Sequence, residues 1–239
     1  MAIETLKNTD SWIPLAELGK QIPPYNPTFL TNGQKYINEH HAFYATCPSN
    51  NGITINIGIP GWQRREDALK LYELAFYVNG DILELGCFHG LSSAIMAQSI
   101  DDSTIKKSIT SVDTLFRNLI QARKNLNKRR LKQHVHLKWG DARKVCRKLV
   151  ESKRKFGLVF VDDWHSYDSV IGVCRYLPDL LQDGGFCLFH DYNDAKNTDP
   201  NNLEYGVPQA ITDGLTTDLF DFYGIFGCSA LYRKKPTRQ

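Results

Sequence analysis

Carboxylates and histidines recur at the ends of apolar runs along this chain, in the order Glu84, Asp113, Asp162, His165, His190 and Asp191. An unperturbed imidazole titrates near ~6.5, so a histidine placed beside acids can accept a proton at neutral pH. Glu84 lies in Asp81-Ile-Leu-Glu-Leu-Gly-Cys-Phe-His-Gly-Leu-Ser-Ser93, and Asp113 closes Ser108-Ile-Thr-Ser-Val-Asp113. Asp162 and His165 belong to Phe160-Val-Asp-Asp-Trp-His-Ser-Tyr167, and His190 with Asp191 ends Gly184-Gly-Phe-Cys-Leu-Phe-His-Asp191. A lone acid at such a position serves equally well as a helix cap. Asp162 and Asp163 precede helix-compatible sequence at Tyr167, where an acid also complements the helix dipole. Acids at the carboxyl ends of several parallel strands instead converge on one crevice, where open sheets bind ligands.

The elements that must position these groups begin with the glycine turn. Gly86 and Gly90 can take positive φ and let the backbone approach a ligand, while a helix starting at Leu91 points unpaired N–H groups at the same place. This reads as a nucleotide-cradling turn. The spacing is Gly-x-x-x-Gly, not the Gly-x-Gly-x-x-Gly that folds around a pyrophosphate, which argues against NAD.

With Glu84 just before the first glycine, the segment resembles the first motif of class I S-adenosylmethionine-dependent methyltransferases. The later runs resemble successive motifs of one branch, the small O-methyltransferases related to the macrocin and catechol enzymes, and the resemblance covers roughly Gly61 to Lys234. It implies S-adenosyl-L-methionine held by Glu84, Gly86, Gly90, Ser92, Asp113 (on the ribose hydroxyls), Asp141 and Ala142 (beside the adenine) and Asp162. In the macrocin-type pattern the aspartate at Asp162 and a carboxylate pair after the fifth strand hold a metal, and the histidine at His165 removes the acceptor's proton. The resemblance thus implies His165 and Asp162 as catalytic residues and Asp162, His190 and Asp191 as ligands of Mg²⁺ or Mn²⁺. His190 stands where the pattern has a carboxylate, and magnesium prefers oxygen. The expected activity is methyl transfer to a hydroxyl of a small molecule in natural-product biosynthesis. Two rival readings are a cephalosporin-hydroxylase-like metal-dependent oxygenase and a non-catalytic cofactor-binding module.

The 239 residues fit one α/β domain with an appendage. Lys plus Arg total 29 against 26 Asp plus Glu, a net +3, too small to demand nucleic acid or an anionic membrane. The basic run Arg123–Lys132 sits at helical spacing and reads as a solvated face. The six cysteines show no Cys-x-x-Cys spacing, so neither zinc nor a disulfide framework is indicated and free thiols in a reducing cytoplasm are expected. No apolar run has membrane-spanning length, so a soluble chain is expected.

Residues 1–60 carry Pro14, Pro23, Pro24, Pro27, Pro48 and Pro60, and read as a cap of short helices and extended pieces over the site. Its aromatics, Trp12, Tyr25, Phe29, Tyr36, Phe43 and Tyr44, suit burial, a substrate pocket or a homodimer contact alike. Residues 61–239 form the methyltransferase domain. A helix from Arg64 precedes strands at 81–86, 108–113, 134–139, 157–162 and 185–190, alternating with helices at 91–99, 115–128, 142–152 and 167–181. Alternation of this kind predicts a Rossmann-like α/β fold with a mostly parallel sheet. Leu219–Ile225 and Ser229–Arg233 complete seven strands as a C-terminal antiparallel hairpin.

Overall fold

The computed structural model describes residues 58–103 and 105–236. The expected N-terminal cap, with its aromatics, therefore lies almost wholly outside the described residues. The chain proceeds through α1 (Arg65–Tyr77), β1 (Ile82–Leu85), α2 (Leu91–Asp102), β2 (Ile109–Asp113), α3 (Phe116–Lys128), β3 (Val135–Trp139), α4 (Ala142–Glu151) and β4 (Phe156–Val161). It continues with α5 (Tyr167–Cys174), α6 (Leu177–Leu180), β5 (Leu181–Phe189), α7 (Val207–Gly214), β6 (Phe220–Phe226) and β7 (Ser229–Lys234). The seven strands form one sheet in the order β3-β2-β1-β4-β5-β7-β6.

β1 to β5 pair in parallel, and β7 runs antiparallel to both β5 and β6. A parallel sheet is covered on both faces, so its central strands read as unbroken apolar runs; every residue of β1 and of β4 is buried. Side chains alternate between faces. Ile82, Ile109, Leu158, Phe160 and Leu188 pack beneath α1 and α2, whereas Leu83, Leu85, Val159, Val161 and Phe189 pack against α4, α5, α6 and α7.

The order reverses between β1 and β4, which creates a crevice beyond their carboxyl ends. The parallel ladder runs on into that edge. Gly86 N–H donates to Val112 O at 2.9 Å, Asp162 N–H to Leu85 O at 2.8 Å and His190 N–H to Val161 O at 3.0 Å. On the far side, Phe189 pairs with Ala230 in the antiparallel ladder, so the β6–β7 turn reaches the same edge.

Three elements depart from expectation. The single helix over 167–181 is two helices, because Pro178 in the first turn of α6 has no N–H to extend α5. β5 starts at Leu181 rather than 185, with a register irregularity against β4 near its start. α7 was not anticipated. It is short, starts after Gly206, carries Pro208 in its first turn and packs on α5.

Candidate active site

Gly86 and Gly90 adopt φ of +90° and +86°. A Cβ at Gly86 would collide with the Asp162 carbonyl, so only glycine allows the β1 turn to lie against the end of β4. Asp113 anchors the same turn from β2. It accepts hydrogen bonds from Phe88 N–H at 2.9 Å, Leu115 N–H at 2.8 Å and the Asn118 amide at 3.1 Å. The Asn118 amide also reaches the second carboxylate oxygen at 3.3 Å, so protein donors hold both oxygens of Asp113 at the mouth of the crevice.

Glu84 sits differently from the sequence expectation. Strand parity turns it under the sheet beside Ile82, where it is fully buried and accepts hydrogen bonds from the hydroxyls of Ser92, Ser93 and Ser111. It does not face the crevice. Burial raises its pKa to about 7 against the opposing pull of the three hydroxyls. Its structural effect is to clamp the start of α2 onto β1 and β2.

At the β4 and β5 ends the chain brings Asp162, His165, His190 and Asp191 together. His165 Nε2 lies 2.8 Å from Asp191 Oδ2 and 4.0 Å from Asp162 Oδ1. His190 Nδ1 lies 3.1 Å from Asp162 Oδ1 and 3.1 Å from Asp191 Oδ2. Asp191 takes a positive φ of 55°, a conformation that side chains rarely adopt and that functional sites often retain. Burial opposes protonation of both imidazoles, but the carboxylates outweigh it. His165 is raised above the usual imidazole range by Asp191, and His190 well above it by Asp162, Cys228 and Asp191. Burial works against ionisation of Asp191, yet the two histidines hold its pKa far below the usual carboxylate range.

Behind this cluster, His190 Nε2 faces Cys228 Sγ at 3.3 Å and Asp67 Oδ2 at 3.8 Å. Asp67 is buried in the first turn of α1 and accepts from Arg64 N–H at 3.1 Å, Cys228 N–H at 3.0 Å and Ser229 Oγ at 2.7 Å. Neither Asp67 nor Cys228 was singled out from sequence. Asp67 left a signal, since it lies at helical spacing with Leu71, Leu74 and Val78 on a buried face; Cys228 left none, because only the antiparallel register carries it to His190.

A cavity of about 690 Å³ opens over both groups, within the range of small-molecule sites. Gly86, Ser92, Asp113 and Asn118 line one end, His165, His190, Asp191 and Tyr205 the other, and Asp162 and Trp164 lie on its wall. The His165 ring stacks on Tyr205 with centroids 5.0 Å apart. Asp141 and Ala142, expected near an adenine, are not in the lining; Asp141 caps α4 through Lys144 N–H, and Ala142 is buried in the core. Gly90 supports the turn from behind, against Ala122. Asp163 also lines the cavity, its pKa pushed up to about 6 by burial and by neighbouring aspartates.

A family model described as a methyltransferase domain matches residues 83–192, from the glycine turn through the histidine–carboxylate cluster. The chain carries an S-adenosylmethionine-dependent methyltransferase domain over these residues. No curated protein matches its sequence. The methyltransferase is similar in fold to an O-methyltransferase from Bacillus cereus in complex with SAH, at 14% identity and a TM-score of 0.61, covering 95% of this chain and 100% of that one. An O-methyltransferase candidate from Klebsiella pneumoniae gives 17% identity, a TM-score of 0.60 and coverage of 95% and 99%. The N-methyltransferase NodS from Bradyrhizobium japonicum gives 17%, 0.52, and 72% and 96%. At these identities the likeness establishes the fold. Asp113, Asp162, Asp163 and Asp191 give the cavity an acidic lining, which favours a positively charged ligand. Among the described residues no helix is long and apolar enough to cross a membrane.

Proposed function

We propose that this methyltransferase acts on a hydroxyl group of a small molecule, with His165 as the base that takes the hydroxyl proton. The observation that carries the reading is the 2.8 Å contact between His165 Nε2 and Asp191 Oδ2 in the wall of the cofactor cavity. Asp191 keeps a proton on Nε2 and leaves the Nδ1 lone pair to accept another, as tautomer control of a catalytic imidazole requires. The resulting imidazolium is then stabilised by the same carboxylate. Tyr205 holds the ring by stacking, and Trp62, Trp164 and Tyr205 offer apolar faces to an acceptor of the natural-product type. Bound S-adenosylmethionine supplies the electrophilic methyl group. Gly86 and Asp113 would hold it, the glycine by close backbone approach and the carboxylate by hydrogen bonding, and alignment with the acceptor oxygen would supply much of the acceleration.

The cluster does not fit Mg²⁺. Magnesium calls for oxygen ligands in a near-octahedral shell, and here an imidazole nitrogen, almost wholly buried, occupies the position facing both Asp162 and Asp191. Against the effect of burial, those carboxylates and Cys228 raise the His190 pKa well above the usual imidazole range, which favours a cationic ring there over a bound magnesium.

The test is incubation of the full chain with methyl-labelled S-adenosylmethionine and a panel of phenols, sugars and amines, with products identified by mass spectrometry and SAH binding measured by calorimetry. Label on an acceptor oxygen supports the reading. Label confined to nitrogen refutes the hydroxyl acceptor, SAH binding without any transfer favours the non-catalytic module, and Fe²⁺-dependent oxygen uptake favours the oxygenase.

A further inference from the structure

The buried trio behind the base, Asp67, His190 and Cys228, shares His190 with the cluster described above, whose carboxylates face Nδ1, while Nε2 faces away from them toward Asp67 and Cys228. Its three donor atoms come from α1, the end of β5 and the β6–β7 turn, elements that meet only in the folded protein. Cys228 Sγ lies 3.3 Å from His190 Nε2 and 3.4 Å from Asp67 Oδ2, and His190 Nε2 lies 3.8 Å from Asp67 Oδ2. A tetrahedral Zn²⁺ with ordinary bond lengths to sulfur, nitrogen and oxygen would set these edges at about 3.4–3.6 Å. Each edge therefore needs to change by less than about half an ångström. A sulfur, an imidazole and a carboxylate also form the donor mixture that zinc takes and magnesium declines.

The surroundings fit as well. A metal-bound histidine usually directs its other ring N–H at a carboxylate, and His190 Nδ1 is 3.1 Å from both Asp162 and Asp191. Nδ1 is buried and makes no aligned hydrogen bond there, so the carboxylates alone do not fix the ring, and a ligand on Nε2 would. Asp67 Oδ2 already accepts from the Cys228 thiol, and Arg64 N–H occupies another of its lone pairs. The metal takes the place of the thiol hydrogen. Cys228 and His190 line the main cavity, so the fourth coordination position opens toward it.

We propose that Asp67, His190 and Cys228 form a binding site for a borderline-soft divalent cation of the zinc class, closed by three protein ligands and open to the active-site cavity at the fourth. The site does not depend on the methyl-acceptor reading. Binding releases the thiol proton, and any proton on His190 Nε2, to solvent, and it ties three separate elements together, so it raises the unfolding temperature.

The test uses the full chain, stripped of metal and titrated with Co²⁺ as a spectroscopic stand-in and with Zn²⁺ by calorimetry. The expected result is a thiolate-to-cobalt charge-transfer band that Zn²⁺ abolishes and excess Mg²⁺ does not. Cys228→Ser should lose the band and more than ~100-fold in Zn²⁺ affinity, beyond the ~10–100-fold that outer-shell partners contribute. Circular dichroism of that variant checks its fold, and Cys228→Ala repeats the loss without an oxygen that could ligate. Absence of the band in the unaltered protein overturns the proposal without recourse to a variant. So does a band that survives Cys228→Ser, or binding without sulfur character, which would place the ion on Asp162, His165 and Asp191 instead.

Discussion

His165 and Asp191 leave different strand ends and meet at 2.8 Å, Nε2 to Oδ2, while His190, next to Asp191 in sequence, presents Nδ1 to the same oxygen at 3.1 Å. One carboxylate thus serves two imidazoles with distinct environments. His190 is almost wholly buried and His165 is about a third exposed at its side chain, at 31%, toward the cavity. Only the second can receive a proton from an acceptor and pass it on to water.

Replacing His165 by Gln should therefore lower the single-turnover rate by ~10²–10⁴-fold, the usual contribution of a general base, while SAH affinity stays unchanged. Asp191→Asn should also slow turnover, because an amide can hold the wrong tautomer of the ring. A His165→Gln loss of less than about fivefold would be too small for general-base work and would remove the role.

Chelation provides the second check. Because the His190 imidazole stands between Asp162 and Asp191 where an oxygen-loving ion would sit, methyl transfer should retain its rate after treatment with EDTA, with residual metal measured by mass spectrometry. Loss of activity on chelation that is restored by Mg²⁺ alone would show that the carboxylates recruit an oxygen-loving ion after all.

Asp113 should matter to the cofactor more than to the acceptor. A hydrogen bond to a charged group contributes about 1.5–3 kcal/mol, or roughly 10–100-fold in affinity. Asp113→Ala should weaken SAH binding by about that factor in calorimetry, partly through the ribose and partly through the Phe88 and Leu115 amides it holds. Unchanged SAH affinity would take Asp113 out of the cofactor site.

The alternation of strands and helices was readable because a parallel sheet needs apolar side chains on both faces, and runs such as Phe156–Val161 supply them without a break. The convergence of Asp162, His165, His190 and Asp191 was readable for the same reason, since each follows such a run. Glu84 misled for a physical reason. It precedes Gly86 by two positions, and period-two alternation turns it toward α2, where the consecutive serines of Leu91-Ser-Ser93 receive it. Cys228 was unreadable, because nothing local says which strand end a hairpin turn will face. The wall formed by Tyr205 and the start of α7 was also missed, since polar loop sequence gives no period to follow. Gly206 N–H donates to His165 O at 2.9 Å, a link that exists only after folding.

Gly86 admits a sharper stability test than the charged residues. At φ +90°, with the Asp162 carbonyl where a Cβ would go, Gly86→Ala meets both backbone strain and a clash with main chain that cannot swing aside. Strain of this kind costs on the order of 1–3 kcal/mol before the clash is counted. Chemical denaturation should show at least that loss; a variant within about 0.5 kcal/mol of the original, the range of an ordinary surface change, would mean that the turn is not pinned to β4.

Glu84 makes stability depend on pH in an unusual direction. Its folded pKa of about 7 lies above the ordinary glutamate value of 4.5, so between those limits the folded state holds a proton that the unfolded state has released. Stability must then fall as pH rises through this window. Below about 4.5 the contribution is fully present, above about 7 it is gone, and the span amounts to about 3 kcal/mol as an upper figure. Acid stability governed by paired carboxylates such as Asp191 has the opposite slope, so the Glu84 term has to be isolated by difference. Glu84→Gln cannot ionise and keeps a polar head for Ser92, Ser93 and Ser111. Relative to the original protein the variant should gain stability steadily from pH 4.5 to 7 and level off above, in thermal or urea unfolding measured across that range. Unfolding curves for the two proteins that run parallel over the whole window would show that Glu84 ionises as freely in the fold as out of it.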